Sequence, residues 1–238
     1  MSVPRLAIIG HGKMGRAVEQ LASGHGWTVV AVIDAAANHD GAGITRDSLG
    51  RADVAVEFTA GRAAPANVRA CVRAGCPVVS GTTGWDDERP GVEEDVLAGA
   101  GAMLWSPNFS IGVNLFWQVA ELAAHLAGRT NLFDAHIVET HHAAKRDAPS
   151  GTALALQRLA TEAFGSEIPV SSVRVGAVPG THELLLDAAF EQIRVVHEAR
   201  DRRVFAEGAL VAAAWLIGKR GVFTMRDVLA SAQPEKTS

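Results

Sequence analysis

The segment ETHHAAKRDAPSGTA, residues 139–153, gathers a carboxylate, two adjacent histidines, a lysine and a Pro-Ser-Gly-Thr step. Histidine and lysine are side chains that can exchange protons with a substrate near neutral pH. The step at 149–152, before the apolar run ALALQRLA, is typical of a helix start with Ser150 as its N-cap. Such a start leaves the backbone N–H groups of Gly151 and Thr152 available to an anion. The segment therefore predicts proton transfer beside a bound anion.

The charged side chains of this segment sharpen that prediction. His142, Lys145 and the helix start together would make a pocket for carboxylates, and Lys145 can also deliver a proton. His141 and His142 would point to opposite faces of a strand at 134–142, so they could not both bind one ion, and we predict no metal site. A single strand histidine or a Lys-Arg-Asp loop is more often structural, and it is their joint placement with the helix start that favours function.

A glycine-rich loop lies near the N-terminus. GHGKMG, residues 10–15, fits the pattern G-x-G-x-x-G between a predicted strand and a predicted helix. In dinucleotide-binding folds the first glycine permits a tight turn, the second lets the backbone approach a pyrophosphate, and the third allows the helix to pack closely on the strand. We therefore expect the loop to bind a cofactor, through Gly10, His11, Gly12, Lys13, Met14 and Gly15.

The residues after the second predicted strand bear on the choice of cofactor. Asp34 stands nineteen residues after the last glycine of the loop, where a carboxylate accepts hydrogen bonds from the adenosine ribose. Ala35 and Ala36 follow, rather than an arginine that would pair with a 2′-phosphate, which favours NADH. Lys13 and Arg16 still leave NADPH open. We predict NADH, NADPH or both, with NADH preferred.

A second loop, GTTG at 81–84, follows the fourth predicted strand, at the edge where open α/β sheets bind ligands. We expect Gly81, Thr82 and Thr83 to contact the nicotinamide, and an ordinary strand-to-helix loop is the alternative. The chain contains no tyrosine, which excludes the Tyr-Lys pair of short-chain dehydrogenases. The proton donors left near neutral pH are histidine and lysine, and they cluster only in residues 139–153.

The order of predicted elements indicates two constructions. Over the first hundred residues, apolar β-rich runs alternate with helical stretches, as in βαβ units with a parallel sheet. The predicted strands cover 5–10, 27–34, 53–59, 76–81 and 102–106, and the predicted helices cover about 13–23, 62–74 and 87–99. After residue 110 come a long helix, the strand at 134–142, a helix from about 150 and three successive strand-like segments, which favour a mixed or antiparallel sheet. A helix at 203–218, a short MRDVLA segment and a loose tail, AQPEKTS, close the chain.

Composition excludes several partners. The 238 residues carry 22 Lys and Arg against 26 Asp and Glu, so we expect neither nucleic acid nor an anionic membrane to bind. The apolar run at 208–218 is about half of a membrane span, and the N-terminal run is too short for a secretory signal. We expect a cytoplasmic protein in which Cys71 and Cys76 are free thiols without a chemical role.

Residues 139–153 resemble, without interruption, the E-x-H-H-x-x-K-x-D-A-P-S-G-T-A signature of the bacterial 4-hydroxy-tetrahydrodipicolinate reductases. GHGKMGRA resembles the nucleotide loop of that family, GTTG and SPNFSIGVN resemble further segments of its site, and the stretch from HEARDRRVF to MRDVLA resembles its closing region. The resemblance covers nearly the whole chain. Many members carry an arginine where this sequence has Ala35, so the resemblance does not settle the cofactor.

The resemblance implies an α/β fold with a Rossmann-like dinucleotide-binding domain at 1–109, to which 202–238 return. It also implies an α+β domain with a mixed or antiparallel sheet at 110–201, which binds a dicarboxylate substrate and builds a homotetramer. His141 would be the acid/base residue and Lys145 the proton donor. The substrate contacts would be His142, Gly151 and Thr152. The nicotinamide would also be held by Ser106, Pro107, Asn108 and Phe109.

Two other functions stay open at this point. One is reduction of another small imine or oxo-acid on the same fold, which fold alone would not exclude. The other is a non-catalytic NAD(P)-binding sensor, which would need the glycine loop and Asp34 but not Lys145.

Overall fold

A computed structural model describes residues 3–231 of the chain. The chain divides into two compact units: one takes in residues up to Ile111 and those from Arg203 onward, and the other is Gly112–Arg202. The tail predicted at 232–238 lies outside the described residues. None of the described helices is long and apolar enough to cross a lipid bilayer.

The first unit is built on a parallel sheet of six strands, in the order β10-β5-β4-β3-β1-β2. The strands are β1 Arg5–Ile9, β2 Thr28–Ile33, β3 Val54–Glu57, β4 Val78–Ser80, β5 Ala102–Trp105 and β10 Gly221–Phe223. The central strands β3 and β4 are buried along their whole length, as expected for a parallel sheet with both faces covered. The predicted Rossmann-like fold is confirmed.

Helices cover both faces of this sheet because their apolar stripes need a partner. The helices of the unit are α1 Lys13–Ala22, α2 Ala64–Arg73, α3 Arg89–Ala98, α6 Arg203–Leu216 and α7 Met225–Ser231. Helices α1 and α6 pack with Leu6 and Val56 in one apolar core, and α2 and α3 pack with Ala7 and Val78 in another. Cys71 lies in the second core as a buried free thiol, and burial raises its pKa well above the usual range.

The second unit is a mixed sheet with helices on one face. Helix α4 runs over Ile111–Gly128 and α5 over Gly151–Phe164, and the strands are β6 Asp134–His141, β7 Val170–Arg174, β8 Thr181–Asp187 and β9 Gln192–Glu198. Their order is β7-β6-β8-β9, with β7 parallel to β6 and the other pairs antiparallel. Phe116 of α4 and Leu156 of α5 pack on Ile137, Leu184 and Leu186 of the sheet.

The predicted strands and helices of the first unit are one to three residues longer than the observed ones, and two further differences have a specific cause. Strand β10 was not predicted, because three residues, Gly221–Phe223, carry too little periodicity to reveal a strand. The predicted strand 134–142 ends one residue early, at His141, because the backbone N–H of Lys145 donates to the carbonyl of His142 at 3.0 Å and starts a turn there.

Candidate functional site

The glycine loop of the first unit has the geometry that its spacing predicts. Gly10 has φ +91°, and a Cβ there would lie 2.1 Å from the carbonyl oxygen of Phe58. A Cβ on Gly15 would lie 1.9 Å from the carbonyl oxygen of Gly10, so only glycine lets helix α1 approach the strand this closely. Gly12 is the N-cap of α1 and has open space where a Cβ would stand. The loop thus offers a helix start with room for a pyrophosphate.

Asp34 lies directly after β2, as predicted for a ribose-binding carboxylate. Its Oδ1 accepts hydrogen bonds from the backbone N–H groups of Ala36 at 3.0 Å and Ala37 at 3.1 Å. This turn fixes the carboxylate at the sheet edge, where it is exposed. The other loop residues are also accounted for: the His11 ring pairs with Glu19 at 2.8 Å, and Met14 packs against the apolar core.

The structure brings the two predicted cofactor loops to one pocket of the first unit. The pocket is lined by Gly12, Lys13, Met14, Phe58, Thr59, Gly81, Thr82 and Thr83. The carboxyl ends of parallel strands meet at one edge of the sheet, which is why loops distant in sequence become neighbours there. A Cβ on Gly81 would overlap the ring of Phe58 at 1.9 Å, so Gly81 is required for packing. These residues fit a dinucleotide.

Glu57, at the end of β3, organises this edge and was not singled out by sequence reasoning. It is fully buried. Its Oε2 accepts a hydrogen bond from Ser80 Oγ at 2.6 Å, and its Oε1 accepts from Thr82 Oγ1 at 3.0 Å and from the hydroxyl of Thr59. Asn67 Nδ2 donates to the same Oε1 at 3.4 Å. The signal available in the sequence was a charged residue inside an otherwise apolar central strand.

This network changes what Thr82 can do. Its hydroxyl donates to Glu57 and accepts from the backbone N–H of Thr59 at 2.8 Å. The hydroxyl is therefore used inside the protein, and so is the carbonyl of Thr82, which accepts from Nε1 of Trp85 at 2.7 Å and from Nε1 of Trp105 at 3.0 Å. Thr83 is exposed beside it.

The segment 106–109 is also turned inward. Ser106 Oγ donates to the carbonyl of Asn108 at 2.7 Å, and Asn108 Oδ1 accepts from the backbone N–H of Ser110 at 2.9 Å. The ring of Phe109 is in the apolar core, edge-on to Phe58 with centroids 5.9 Å apart. Pro107 alone of the four predicted residues is exposed. The segment forms a turn that the side chains of Ser106 and Asn108 stabilise by hydrogen bonds, and Phe109 anchors the turn in the apolar core.

In the second unit, the register of the sheet assembles a cluster of polar groups. Glu139 and His141 are two residues apart on β6, so they point to the same, buried face. Glu139 is paired with Ser172 of β7 and with His182 of β8, and His141 is paired with Arg174 of β7. Three strands therefore bring five polar side chains together.

The two buried histidines of the cluster are shifted toward the neutral form. Burial lowers the pKa of His182 to about 4, and the charge of His141 adds to that effect. Burial also lowers the pKa of His141; Glu139 raises it, and the charges of Lys145 and Arg174 lower it. The two rings meet edge to face with centroids 5.1 Å apart. His141 was predicted as a site residue, whereas His182 was not, because the sequence does not give the register of β8.

The predicted proton donor, Lys145, lies after the turn that follows β6. Its Nζ is 2.8 and 2.7 Å from Oδ1 and Oδ2 of Asp147. The ammonium group of Lys145 lowers the pKa of Asp147. His142 is half-buried at the start of the turn. The structure thus places an ammonium group, held by a carboxylate, near the cluster of His141.

The predicted helix start is present. Ser150 is the N-cap of α5, and its Oγ accepts from the backbone N–H of Ala153 at 3.2 Å. The first two residues of the helix are Gly151 and Thr152. Ser150 Oγ also forms a hydrogen bond of 3.2 Å with Nε2 of His182, so the cap joins the helix start to the polar cluster.

Comparison with known proteins gives the family. Two family descriptions match the sequence: dihydrodipicolinate reductase, N-terminus, over residues 4–109, and dihydrodipicolinate reductase, C-terminus, over residues 112–229. The chain belongs to the dihydrodipicolinate reductase family. The resemblance noted in its motifs is thereby confirmed, and the chain is an NAD(P)-dependent oxidoreductase.

Relatives align over nearly the full chain. A protein of Christiangramia forsetii named 4-hydroxy-tetrahydrodipicolinate reductase is 35% identical, over 94% of this chain and 97% of its own. A protein of Archaeoglobus fulgidus with the same name is 38% identical, over 94% and 99%. Dipicolinate-bound dihydrodipicolinate reductase from Paenisporosarcina sp. TG-14 has the same fold, with a TM-score of 0.78 at 22% identity, over 94% of this chain and 98% of its own.

Proposed function

We propose that the protein reduces 4-hydroxy-tetrahydrodipicolinate, with loss of water, to tetrahydrodipicolinate in the diaminopimelate and lysine pathway. Full-length similarity to reductases of that name carries the proposal. The chemistry of the second unit supports it, because a protonated lysine, a helix start and a buried histidine cluster suit a dianionic substrate that must be protonated. The pocket of the first unit fits the dinucleotide that the reaction needs.

The proposed residues divide proton transfer and substrate binding between them, and Lys145 takes part in both. A dinucleotide held by the glycine loop and Asp34 would supply the hydride for reduction of the conjugated cyclic imine that forms as the substrate loses water. Lys145 supplies the proton, assisted by His141 as the acid/base residue. His142, Lys145 and the N–H groups of Gly151 and Thr152 bind the substrate carboxylates, as cations and helix starts do. Asp147 holds the ammonium group of Lys145 until a substrate carboxylate arrives.

We propose NADH as the preferred cofactor. Asp34 presents a carboxylate, and the residues after it are alanines whose N–H groups hold that carboxylate in place. A fixed negative charge suits ribose hydroxyls and repels a 2′-phosphate. Replacing Ala35 by Arg should therefore shift the ratio of kcat/KM values toward NADPH, and an unchanged ratio would contradict this assignment of Asp34.

We also propose a homotetramer built through the second unit. The face of its sheet opposite to α4 and α5 carries apolar side chains at Val138, Leu185 and Val196, and Val196 is 52% exposed. The same face carries the ion pair of Arg194 with Glu183, and apolar side chains beside polar ones are typical of a subunit interface. Light scattering of the purified protein would give the mass: a value near four chains is expected, and a monomer would contradict it. The cytoplasmic location stays a prediction.

The deciding experiment is oxidation of NADH, and separately of NADPH, with substrate formed in situ from pyruvate and aspartate semialdehyde by the preceding synthase. Lys145→Ala should lower kcat by roughly two to four orders of magnitude, the usual range for a positioned proton donor, with NADH binding unchanged. If NADH binds but is not consumed, the protein is a sensor or reduces another imine or oxo-acid. If Lys145→Ala loses NADH affinity instead, its role as proton donor is wrong.

A further inference from the structure

Glu139 has no task in the reaction described so far, although it lies at the centre of the polar cluster. Its side chain is fully buried. A buried carboxylate is costly unless charged or polar partners surround it. Glu139 lies on β6 two residues before His141, so both side chains project from the same face of the sheet. The partners of each carboxylate oxygen therefore show what the residue does.

One oxygen of Glu139 is fully engaged in keeping the group ionised. Its Oε1 lies 2.6 Å from Nη2 of Arg174 and accepts the backbone N–H of Ser150 at 3.3 Å. Hydrogen bonds from Ser172, Arg174 and Ser150 outweigh burial, and together they lower the pKa of Glu139 to about 2. The guanidinium is itself fixed, because Nη2 donates to the carbonyl of Asp147 at 2.5 Å. Glu139 is thus an anion held in a rigid frame.

The other oxygen faces the proposed acid/base residue. Oε2 of Glu139 lies 2.6 Å from Nδ1 of His141, within ion-pair distance. Among the described residues, neither atom has a partner of regular hydrogen-bond geometry. A carboxylate at this place requires a proton on Nδ1, so the lone pair of the neutral ring is on Nε2. Gly180 lies beside Nε2, and a Cβ at that position would be 3.0 Å from Nε2, so a glycine there keeps a side chain from crowding this nitrogen.

We propose that Glu139, held by Arg174, is a positioning residue that keeps His141 in the Nδ1–H form and leaves Nε2 to exchange the proton of the reaction. The inference rests on the proposed function, because it assumes that His141 takes part in proton transfer. The arrangement is that of a carboxylate that orients a histidine without being protonated itself.

A metal site is the competing interpretation. Glu139, His141 and His182 each offer a ligand atom, and these atoms lie within 4.8 Å of one another. The guanidinium of Arg174 already neutralises the carboxylate and would repel a cation, and Ser150 engages Nε2 of His182. Charge therefore favours proton transfer over metal binding at this cluster.

The charges around His141 predict the effect of removing Glu139. Arg174 of β7 and Lys145 of the following turn lower the pKa of His141, and Glu139 opposes them. His182 of β8 is a neutral neighbour at neutral pH, because its pKa is about 4. Without the carboxylate, the pKa of His141 should fall further. The limb of the pH-rate profile that reports His141 should then move to lower pH.

The test is Glu139→Gln, measured beside wild type and the control Asp187→Asn, which removes an exposed carboxylate at the end of β8. We expect kcat/KM for the substrate to fall roughly 10- to 1000-fold, because a wrongly oriented or wrongly protonated histidine is a poor proton carrier. The Kd of NADH should stay within about twofold. The pH limb should move in Glu139→Gln only, and Glu139→Asp, which keeps the charge, should retain the wild-type limb.

A readout independent of turnover separates this proposal from the proposed function. Nitrogen-15 shifts of the His141 ring should show Nδ1–H in wild type and a mixture of tautomers in Glu139→Gln. If the wild-type protein does not reduce 4-hydroxy-tetrahydrodipicolinate, the proposed function fails. The ring shifts of His141 still test the proposal that Glu139 fixes the tautomer. An unchanged tautomer and pH limb in Glu139→Gln would overturn it, as would activity that is lost on dialysis against EDTA and restored by Zn²⁺. Should Glu139→Gln not fold, Glu139→Asp and the wild-type ring shifts decide.

Discussion

Each sheet of the molecule buries one glutamate completely, and the two carboxylates have different neighbours. Glu57 of the first unit accepts hydrogen bonds from neutral groups, namely the hydroxyls of Ser80 and Thr82 and the amide of Asn67 among others. Glu139 of the second unit lies against a guanidinium and an imidazole. The same side chain therefore serves two purposes, according to whether its partners can carry charge.

The two carboxylates have different effects on the residues around them. The donors around Glu57 come from the ends of β3 and β4 and from α2, so their hydrogen bonds fix the loops that line the cofactor pocket. Glu139 accepts from the neutral groups of Ser150 and Ser172 as well, but it also contacts the permanent charge of Arg174 and the titratable ring of His141, so it sets the protonation of a histidine. Neutral donors fix the conformation of the surrounding loops, and charged partners fix which atom of the histidine carries the proton.

The largest effect should come from removing the cation that compensates Glu139. Arg174→Met leaves a buried carboxylate without its ion pair, which typically costs about 3–5 kcal/mol. Urea unfolding should show this loss, with the midpoint lowered and the slope unchanged. The matched control is Arg69→Met, which removes the exposed ion pair with Asp95 and should change stability by less than about 1 kcal/mol. Equal losses in the two variants would mean that the buried ion pair of Glu139 stabilises the fold no more than an exposed one does.

The next effect is the dependence of stability on pH. The pKa of Glu139 is lowered to about 2 from 4.5, so its contribution is complete above pH 4.5 and is lost as the pH falls toward 2. The shift corresponds to roughly 3 kcal/mol. Unfolding free energies measured from pH 5 to pH 2.5 should fall less steeply for Glu139→Gln than for wild type. Parallel curves would mean that Glu139 is not an ion in the folded protein.

The buried histidines act in a separate pH range. The pKa of His182 is lowered from 6.5 to about 4, so the unfolded chain binds the extra proton first, and stability falls as the pH drops from 6.5 toward 4. Because the carboxylate of Glu139 raises the pKa of both buried histidines, this loss should be larger in Glu139→Gln than in wild type. The range from pH 4.5 to 2.5 is therefore the informative one for Glu139.

The sequence predicts more of the first unit than of the second. The strands and the glycine loop of the first unit follow from local signals: an apolar run, then glycine, then a helix. The cluster of the second unit depends on register, because Ser172, Arg174 and His182 lie more than thirty residues from β6. Segment 106–109 shows the limit of motif reading, since its pattern did not reveal that Phe109 belongs to the core.

A smaller effect should separate the two ends of the cofactor. In Glu57→Gln, one carboxylate oxygen becomes an N–H₂ group that faces hydrogen-bond donors. The GTTG loop then loses part of its support, which should weaken NADH binding by about 1–2 kcal/mol. The Kd of NADH should rise about 5- to 30-fold. ADP-ribose, which lacks the nicotinamide, should bind nearly as it does to wild type. If both ligands weaken equally, Glu57 supports the whole pocket rather than its nicotinamide end.

The smallest expected effect lies at the far end of the same network. Asn38 Nδ2 donates to Asn67 Oδ1 at 2.8 Å, and Asn38 Oδ1 accepts the backbone N–H of Gly43 at 3.2 Å. Asn38→Asp keeps the acceptor for Gly43 but loses the donor to Asn67, and the cost should be about 1 kcal/mol. Because Asn38 lies in the loop that follows Asp34, NADH and ADP-ribose should weaken together, by two- to fivefold. Weakening of NADH alone would place Asn38 with the nicotinamide loop and would contradict this division of the network.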